Sequence, residues 1–332
     1  MTARTLAPLW MILVALTTGC TTTNPHAIDD AGLVDAGADL PVARDAQRSS
    51  DLSHGPYPLV LVHGFFGFEQ LARIDYFYGV RQALQADGHR VFVPEIDPIN
   101  TTAVRGPQLL AAIERILSES GAEKLNLIGH SQGGIDARYV AQRIPQRIAS
   151  VTTIGSPHLG SAVADAALGR VPSIALSLLQ ALSRGLGTIF GPVEPSDLRA
   201  FLQSISSENM ARFNSQHPAI ATIAYYSLAG RSAMAPNAGR CQVNAPAFVS
   251  RYDDDLDPVA TPLYVSSRIA PQPNDGLVEV EITRWGRFLG CVPADHWDQI
   301  GQLFGDSPGG DNGFDHVAFY RGLANWLVAQ GH

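Results

Sequence analysis

The chain has 332 residues, 45% of them hydrophobic and 16% charged, enough for one large core and a single catalytic domain of α/β type, which can run to this length without splitting. A net charge of -8, with no Lys/Arg-rich run, excludes a nucleic-acid partner and fits a neutral or lipid-like substrate better.

Residues 1–20 predict an export signal: Arg4 supplies a positive start, Leu6 to Leu16 an apolar segment too short to span a bilayer, and Thr17-Thr18-Gly19-Cys20 a processing site. A cysteine after a small residue at this place is similar to a bacterial lipoprotein signal, in which Cys20 is lipidated and becomes the new N-terminus. Ordinary cleavage and secretion is the alternative. Residues 21–54 are rich in Ala, Asp, Gly, Ser and Thr, cannot bury a core of their own and read as a tether. With Cys20 in the signal, Cys241 and Cys291 remain as a pair in an oxidising space. They predict either a disulfide or two separate buried thiols.

Leu59-Val60-Leu61-Val62, bounded by Pro58 and by His63-Gly64, predicts a buried parallel strand. Helical periodicity from Tyr76 to Ala86 ends at Gly88, and Val91-Phe92-Val93 makes a short strand before Pro94. A helix follows from about Gly106 to Ser118, with Leu109, Leu110, Ile113, Ile116 and Leu117 on one stripe. Leu125 to Ile128 is the next strand, Gly134 to Ala141 a helix, and Ile148 to Ile154 another strand. Such alternation implies a mostly parallel sheet with helices on both faces.

From about residue 160 to 218 the alternation gives way to a helical insertion. Val171 to Phe190 is apolar almost all round, as a core helix or a mobile cover over a greasy cleft would be. Tyr225 to Leu228 and Leu263 to Val265 predict further strands.

Gly129-His130-Ser131-Gln132-Gly133 lies between a predicted strand and a predicted helix. A Gly-x-Ser-x-Gly turn there lifts the serine hydroxyl above the carboxyl edge of the sheet on an elbow that admits only small neighbours. Such a nucleophile needs a base, an acid to orient that base, and oxyanion donors, with chain order serine, acid, histidine. Asp275, in Asn274-Asp275-Gly276-Leu277-Val278, stands on a turn at the right place in that order, and His296 and His316 both follow it. His217 comes too early, while His63, His130 and His158 sit beside strand ends and read as loop supports. Glu279 and Glu281 alternate with Val278 and Val280, a strand pattern that turns them to solvent. Oxyanion donors are expected from the main chain of Gln132, after the serine, and of Phe65, in the loop His63-Gly64-Phe65-Phe66-Gly67.

Taken together, these motifs resemble the secreted, calcium-binding triacylglycerol lipases of Gram-negative bacteria. The resemblance runs through residues 57–67, 125–134, Ala137 to Ala141, 151–161, 274–278 and Asp295-His-Trp-Asp-Gln-Ile-Gly-Gln302, nearly the whole chain after the tether. It implies an α/β-hydrolase fold over residues 55–332 with a helical lid, a triad of Ser131, Asp275 and His296, and hydrolysis of carboxylic esters, with triacylglycerol first. A short-chain esterase or polyester depolymerase would use the same frame, and a non-catalytic lipid-binding lipoprotein is the remote alternative. The resemblance also implies a structural Ca²⁺ beside the histidine, held by Asp257, Asp298, Gln302 and Asp306, with Asp253, Asp254 and Asp255 as competing oxygens. It further implies a lipid substrate at an oil–water interface, a monomer, a dedicated foldase in many members, and a home outside the cell or on the outer membrane. Trp297 stands where leucine is usual, and Cys241 follows a strand that the family's first cysteine usually precedes.

Overall fold

The structure, a computed structural model, describes residues 55–65, 70–71, 74–170, 195–232, 241, 244–252, 257–258, 263–302, 305, 308 and 312–332. Its centre is a parallel sheet of six strands: β1 (Leu59–Val62), β4 (Val91–Phe92), β5 (Leu125–His130), β6 (Ile148–Ile154), β7 (Ala224–Gly230) and β8 (Arg287–Val292), in the order β4-β1-β5-β6-β7-β8. A two-stranded antiparallel ribbon, β2 (Gln70–Leu71) and β3 (Ile74–Asp75), stands apart from it. The chain goes from β1 outward to β4 and returns to β5 on the opposite side of β1. The carboxyl ends of β1 and β5 therefore flank the switch point, where open α/β sheets bind ligands.

Side chains of successive strand residues point to opposite faces, and each face buries its own helices. Leu59, Leu61 and Ile128 pack with α1 (Val80–Ala86) and α9 (His316–Ala329) through Leu84, Phe319, Tyr320, Leu323 and Leu327. Val60, Val62, Leu125 and Leu127 pack with α2 (Thr102–Ser120) and α3 (Gln132–Arg143) through Leu109, Ile113, Ile116, Val140 and Ala141. A third apolar cluster joins α4 (Ala162–Asp165) to α5 (Pro195–Ser204) through Val163, Ala164, Leu198 and Leu202, close to Phe65 and Phe201. Next comes α6 (Ser207–Gln216), capped by the Ser206 hydroxyl. The short turns α7 (Ala247–Ser250) and α8 (Tyr264–Ser267) complete the α-helices among the described residues. Among the described residues no helix is long and apolar enough to cross a membrane.

Two expectations need correction. Leu263 to Val265 forms no strand: Ser266 and Ser267 turn their hydroxyls back to the carbonyls of Leu263 and Tyr264 at 2.9 and 2.8 Å, closing α8 instead. Nor do residues 278–281 form a strand with glutamates facing water. The Asp275 carboxylate draws in the N–H groups of Leu277 and Val278, the chain turns, and Glu279 is buried where it accepts the Ala162 N–H at 3.2 Å. Burial raises the Glu279 carboxyl above the usual carboxylate range. Only Glu281, in a short 3-10 turn, lies at the surface.

The sheet's last strand, β8, and the long α9 go beyond the predicted set. The expected helix over Val171 to Phe190, together with Cys20, lies outside the described residues. Cys241 and Cys291 are joined as a disulfide with Cα atoms 5.7 Å apart, fastening β8 to a segment 50 residues upstream. Closing a loop of that length stabilises the fold by roughly 4 kcal/mol on the chain-entropy account. Replacing both cysteines by serine should lower the melting temperature by about 10 °C while leaving ester turnover at 25 °C near wild type, which calorimetry and a rate assay on the same preparation would check.

Candidate active site

Ser131 sits between β5 and α3 with φ 55° and ψ -127°, the one non-glycine residue with positive φ among the described residues. Close packing enforces the turn. A Cβ on Gly133 would lie 2.2 Å from the Val62 carbonyl oxygen of β1, and one on Gly129 would lie 2.4 Å from the Gly134 nitrogen. The elbow is held from below by the Ser131 N–H donating to Ile154 O at 2.9 Å, and by the Ser156 hydroxyl donating to Ser131 O at 2.7 Å.

The histidine predicted as base meets the predicted acid. His296 Nδ1 donates to Asp275 Oδ2 at 2.8 Å, and the His296 N–H donates to the Asp275 carbonyl at 2.8 Å, so both main chain and ring are registered on one residue. Asp275 is fully buried, with Oδ1 accepting the N–H groups of Leu277 and Val278 at 3.0 and 2.8 Å. An N–H at Nδ1 leaves Nε2 as the acceptor of a neutral imidazole, the tautomer a general base requires. The ring of His296 lies against that of His130, the residue before Ser131, with centroids 4.6 Å apart.

The remaining histidines have other work. His316 Nε2 donates to the Tyr78 carbonyl at 2.7 Å, which removes the rival base from the site. His63 donates to Gly64 O at 3.0 Å, and burial followed by the Arg105 charge lowers its pKa to about 3. His130 bonds Tyr76 Oη at 2.8 Å and is kept well below the usual imidazole range by burial and then by His296. His158 accepts from Arg138 at 3.0 Å, and His217 donates to Phe213 O at 3.0 Å.

The loop after β1 carries the expected first oxyanion donor, Phe65. Its geometry depends on Arg105, which the sequence reading did not single out. This buried arginine pairs with the equally buried Asp136 at 2.8 Å. It also donates to the carbonyls of His63, of Gly64 at 3.1 Å and of Asp97 at 2.9 Å. In a trans peptide C=O and N–H point opposite ways, so a Gly64 carbonyl drawn to Arg105 turns the Phe65 N–H away from it. Gly64 lies beside Ser131, since a Cβ there would be 2.8 Å from Ser131 Cβ. Gln132 opens α3, where first-turn N–H groups lack intrahelical partners, and its side chain is fixed on Asn100 O at 3.0 Å. The Phe65 ring is covered by Phe201 of α5, stacked at 3.7 Å and 8°.

Beyond His296, one carboxylate oxygen from each of Asp257, Asp295 and Asp298 lies within 4.8 Å of the others. Both oxygens of Asp257 are buried with no hydrogen-bond partner among the described residues, and burial followed by the Asp295 charge pushes its pKa up to about 8. Asp257 and Asp298 are thus together as expected, whereas Asp295 joins them unforeseen although it adjoins His296 in sequence. The Gln302 Nε2 donates to Asp75 O and Tyr76 O at 2.7 and 2.8 Å. Asp306, with Asp253, Asp254 and Asp255, lies outside the described residues.

A strained serine above the switch point of a parallel sheet and a histidine bonded to a buried aspartate define an α/β-hydrolase. The profile of the alpha/beta hydrolase fold matches residues 57–221. A triacylglycerol lipase of Vibrio cholerae is 37% identical over 288 residues, covering 83% of this chain and 88% of that one. A triacylglycerol lipase of Pseudomonas fragi is 35% identical over 274 residues, covering 74% and 88%. Among solved structures, the mature Bacillus licheniformis lipase BlEst2 shares the fold with a TM-score of 0.53 at 22% identity, over 74% of this chain and 88% of that one. The chain belongs to the bacterial triacylglycerol lipase family.

Arg105→Met should destabilise the protein by about 3–5 kcal/mol, because Asp136 is left as an uncompensated buried charge. In Arg105→Met/Asp136→Leu, stability should return only in part, because the carbonyls of His63 and Asp97 have lost their Arg105 donor, while kcat stays at least about tenfold low, since the Gly64 carbonyl is then held only by the His63 ring. Denaturant unfolding and turnover measured on both variants separate the two effects.

Proposed function

We propose that the protein is an exported triacylglycerol lipase whose triad is Ser131, His296 and Asp275. The His296–Asp275 bond beside the strained serine carries this reading. Ser131 Oγ attacks the ester carbonyl while His296 Nε2 takes its proton. The tetrahedral oxyanion is held by the N–H groups of Phe65 and Gln132, with the α3 N-terminus adding favourable potential. Collapse expels the alcohol, which takes the proton from His296, and leaves an acyl-enzyme. Water, deprotonated by the same imidazole, then releases the fatty acid and restores the serine. Asp275 fixes the ring and stabilises the imidazolium in both halves.

Support for a lipid substrate comes from the triacylglycerol lipases of V. cholerae and P. fragi and from the apolar cluster beside Phe65. The Cys241–Cys291 disulfide supports an oxidising compartment and hence export, either secreted or anchored through Cys20. On this reading the enzyme acts as a monomer at an oil–water interface, with a foldase as its folding partner.

Fatty-acid release from emulsified long-chain triacylglycerol and from a soluble short-chain ester, with Ser131→Ala as control, tests the assignment. Serine-dependent release from the emulsion is the expected outcome. Activity confined to the soluble ester would make the protein an esterase, and an active Ser131→Ala would remove the triad reading altogether.

Asp257, Asp295 and Asp298, with main-chain oxygens of the following loop, would hold a Ca²⁺, whose charge offsets three carboxylates crowded beside His296 and so steadies that loop. The buried, unpartnered oxygens of Asp257 fit a hard cation. Chelation should lower the melting temperature of the wild type, and added calcium should restore it. Asp257→Asn should melt at the same temperature with and without calcium, at or above the chelated wild type; a calcium-dependent melting point that survives in this variant would exclude the site.

A further inference from the structure

Gln299 occupies a slot cut into the floor of the site. It lies in the 3-10 turn Asp298–Ile300, is fully buried, and its N–H is bonded to the Asp295 carbonyl at 3.2 Å. Its Nε2 donates to Asp275 Oδ2 at 2.8 Å, the same oxygen that accepts from His296 Nδ1 at 2.8 Å. Two missing side chains make the slot. A Cβ on Gly230, at the end of β7, would lie 2.1 Å from Gln299 Nε2, and one on Gly155, just past β6, would lie 2.6 Å from Gln299 Oε1. Two adjacent strand ends thus leave their β-carbons out at the place where this amide passes.

We propose that Gln299 is a positioning residue for ester hydrolysis, acting through Asp275; the proposal rests on the reading of Ser131, His296 and Asp275 as the triad. The main-chain donors of Leu277 and Val278 hold only Oδ1. Without Gln299, Oδ2 would be tied solely to the ring it has to orient, and the carboxylate plane would follow each movement of His296. An amide N–H can only donate, so it keeps Oδ2 an acceptor and pins the plane from a direction independent of the imidazole. A hydrogen bond to an ionised oxygen is among the stronger ones in a buried site. With four donors on two oxygens, the Asp275 carboxylate is oriented before substrate arrives.

The test is a double-mutant cycle in the full exported chain on a soluble short-chain ester, with Gln299→Met, Asp275→Asn and the pair, and Ser131→Ala as baseline. Methionine keeps the length of glutamine and removes its donor. The expected result is a kcat about tenfold lower in Q299M with KM within about twofold of wild type, and no further loss when Q299M is added to D275N. The low-field proton resonance of the His296 Nδ1–H should also move upfield in Q299M. A wild-type kcat in Q299M, or equal fold-losses in both backgrounds, overturns the proposal. Q299S, which leaves the slot open, carries the same measurements if Q299M does not fold; failure of both to fold makes the side chain a filler and overturns it too. If D275N itself turns over like wild type, the triad reading has failed; if D275N is impaired and Q299M is not, only the role of Gln299 has.

Discussion

The strained turn at Ser131 is the constraint on which the rest of the site depends. A non-glycine residue held outside the common backbone regions costs on the order of 1–3 kcal/mol and persists only where its surroundings over-determine it. Here they do, through the strand before it, the helix after it, the carbonyls of β1 against Gly133 and the Ile154 and Ser156 bonds from the β6 side. The geometry that raises the serine also fixes α3 across β1 and β5. It thereby sets where Asp136 stands, hence where Arg105 is pulled, hence how the loop carrying Phe65 is turned.

Buried carboxylates in this molecule are resolved in three distinct ways. Asp136 meets a guanidinium, and although burial pushes its carboxyl upward, the Arg105 charge pulls it back. Asp275 is satisfied by hydrogen bonds alone, four of them, all from groups fixed in the fold. Asp257 has no side-chain partner among the described residues and lies with two more carboxylates, so its carboxyl is held above the usual range by burial and then by the Asp295 charge. Of the three, only Asp275 is bonded to His296, and the Asp257 cluster reaches it through Asp295, its neighbour in sequence.

Much of this was legible in the sequence where a single local rule decides the outcome. Leu59–Val62 and Ile148–Ile154 are continuous apolar runs between breakers, and they are strands with those bounds. The elbow and the Asp275 turn carry their own glycines and Asx chemistry, so residue type alone located them. Where two rules compete, the pattern misled: Leu263-Tyr-Val reads as strand until the serines behind it close a turn, and Glu279 reads as exposed until Asp275 bends its segment. Strand β8 was hidden because Gly290, at φ 125°, interrupts its pattern where the register slips against β7. The Asp315 cap and the apolar spacing of Phe319, Leu323 and Leu327 were a signal for α9 that the sequence reading did not use. Arg105 and Gln299 carried no local signature, since their roles come from carbonyls and glycines distant in the chain.

The two sides of Ser131 differ in what holds them. The side formed by Arg105, Asp275 and Gln299 is a network of buried hydrogen bonds, and moving any member strands a polar group in a low-dielectric interior. The side formed by α5 is ring stacking and aliphatic contact: Phe201 on Phe65, with Leu198 and Leu202 against α4. The ring and aliphatic contacts themselves contribute about 25 cal/mol for each Å² kept from water, and the Ser161 N–H to Ile205 O bond and the Asp165–Ser207 bonds tie α4 to the chain after α5. Ser131 is only 8% exposed, with the buried hydrogen-bond network on one side of it and the apolar cluster around Phe65 on the other.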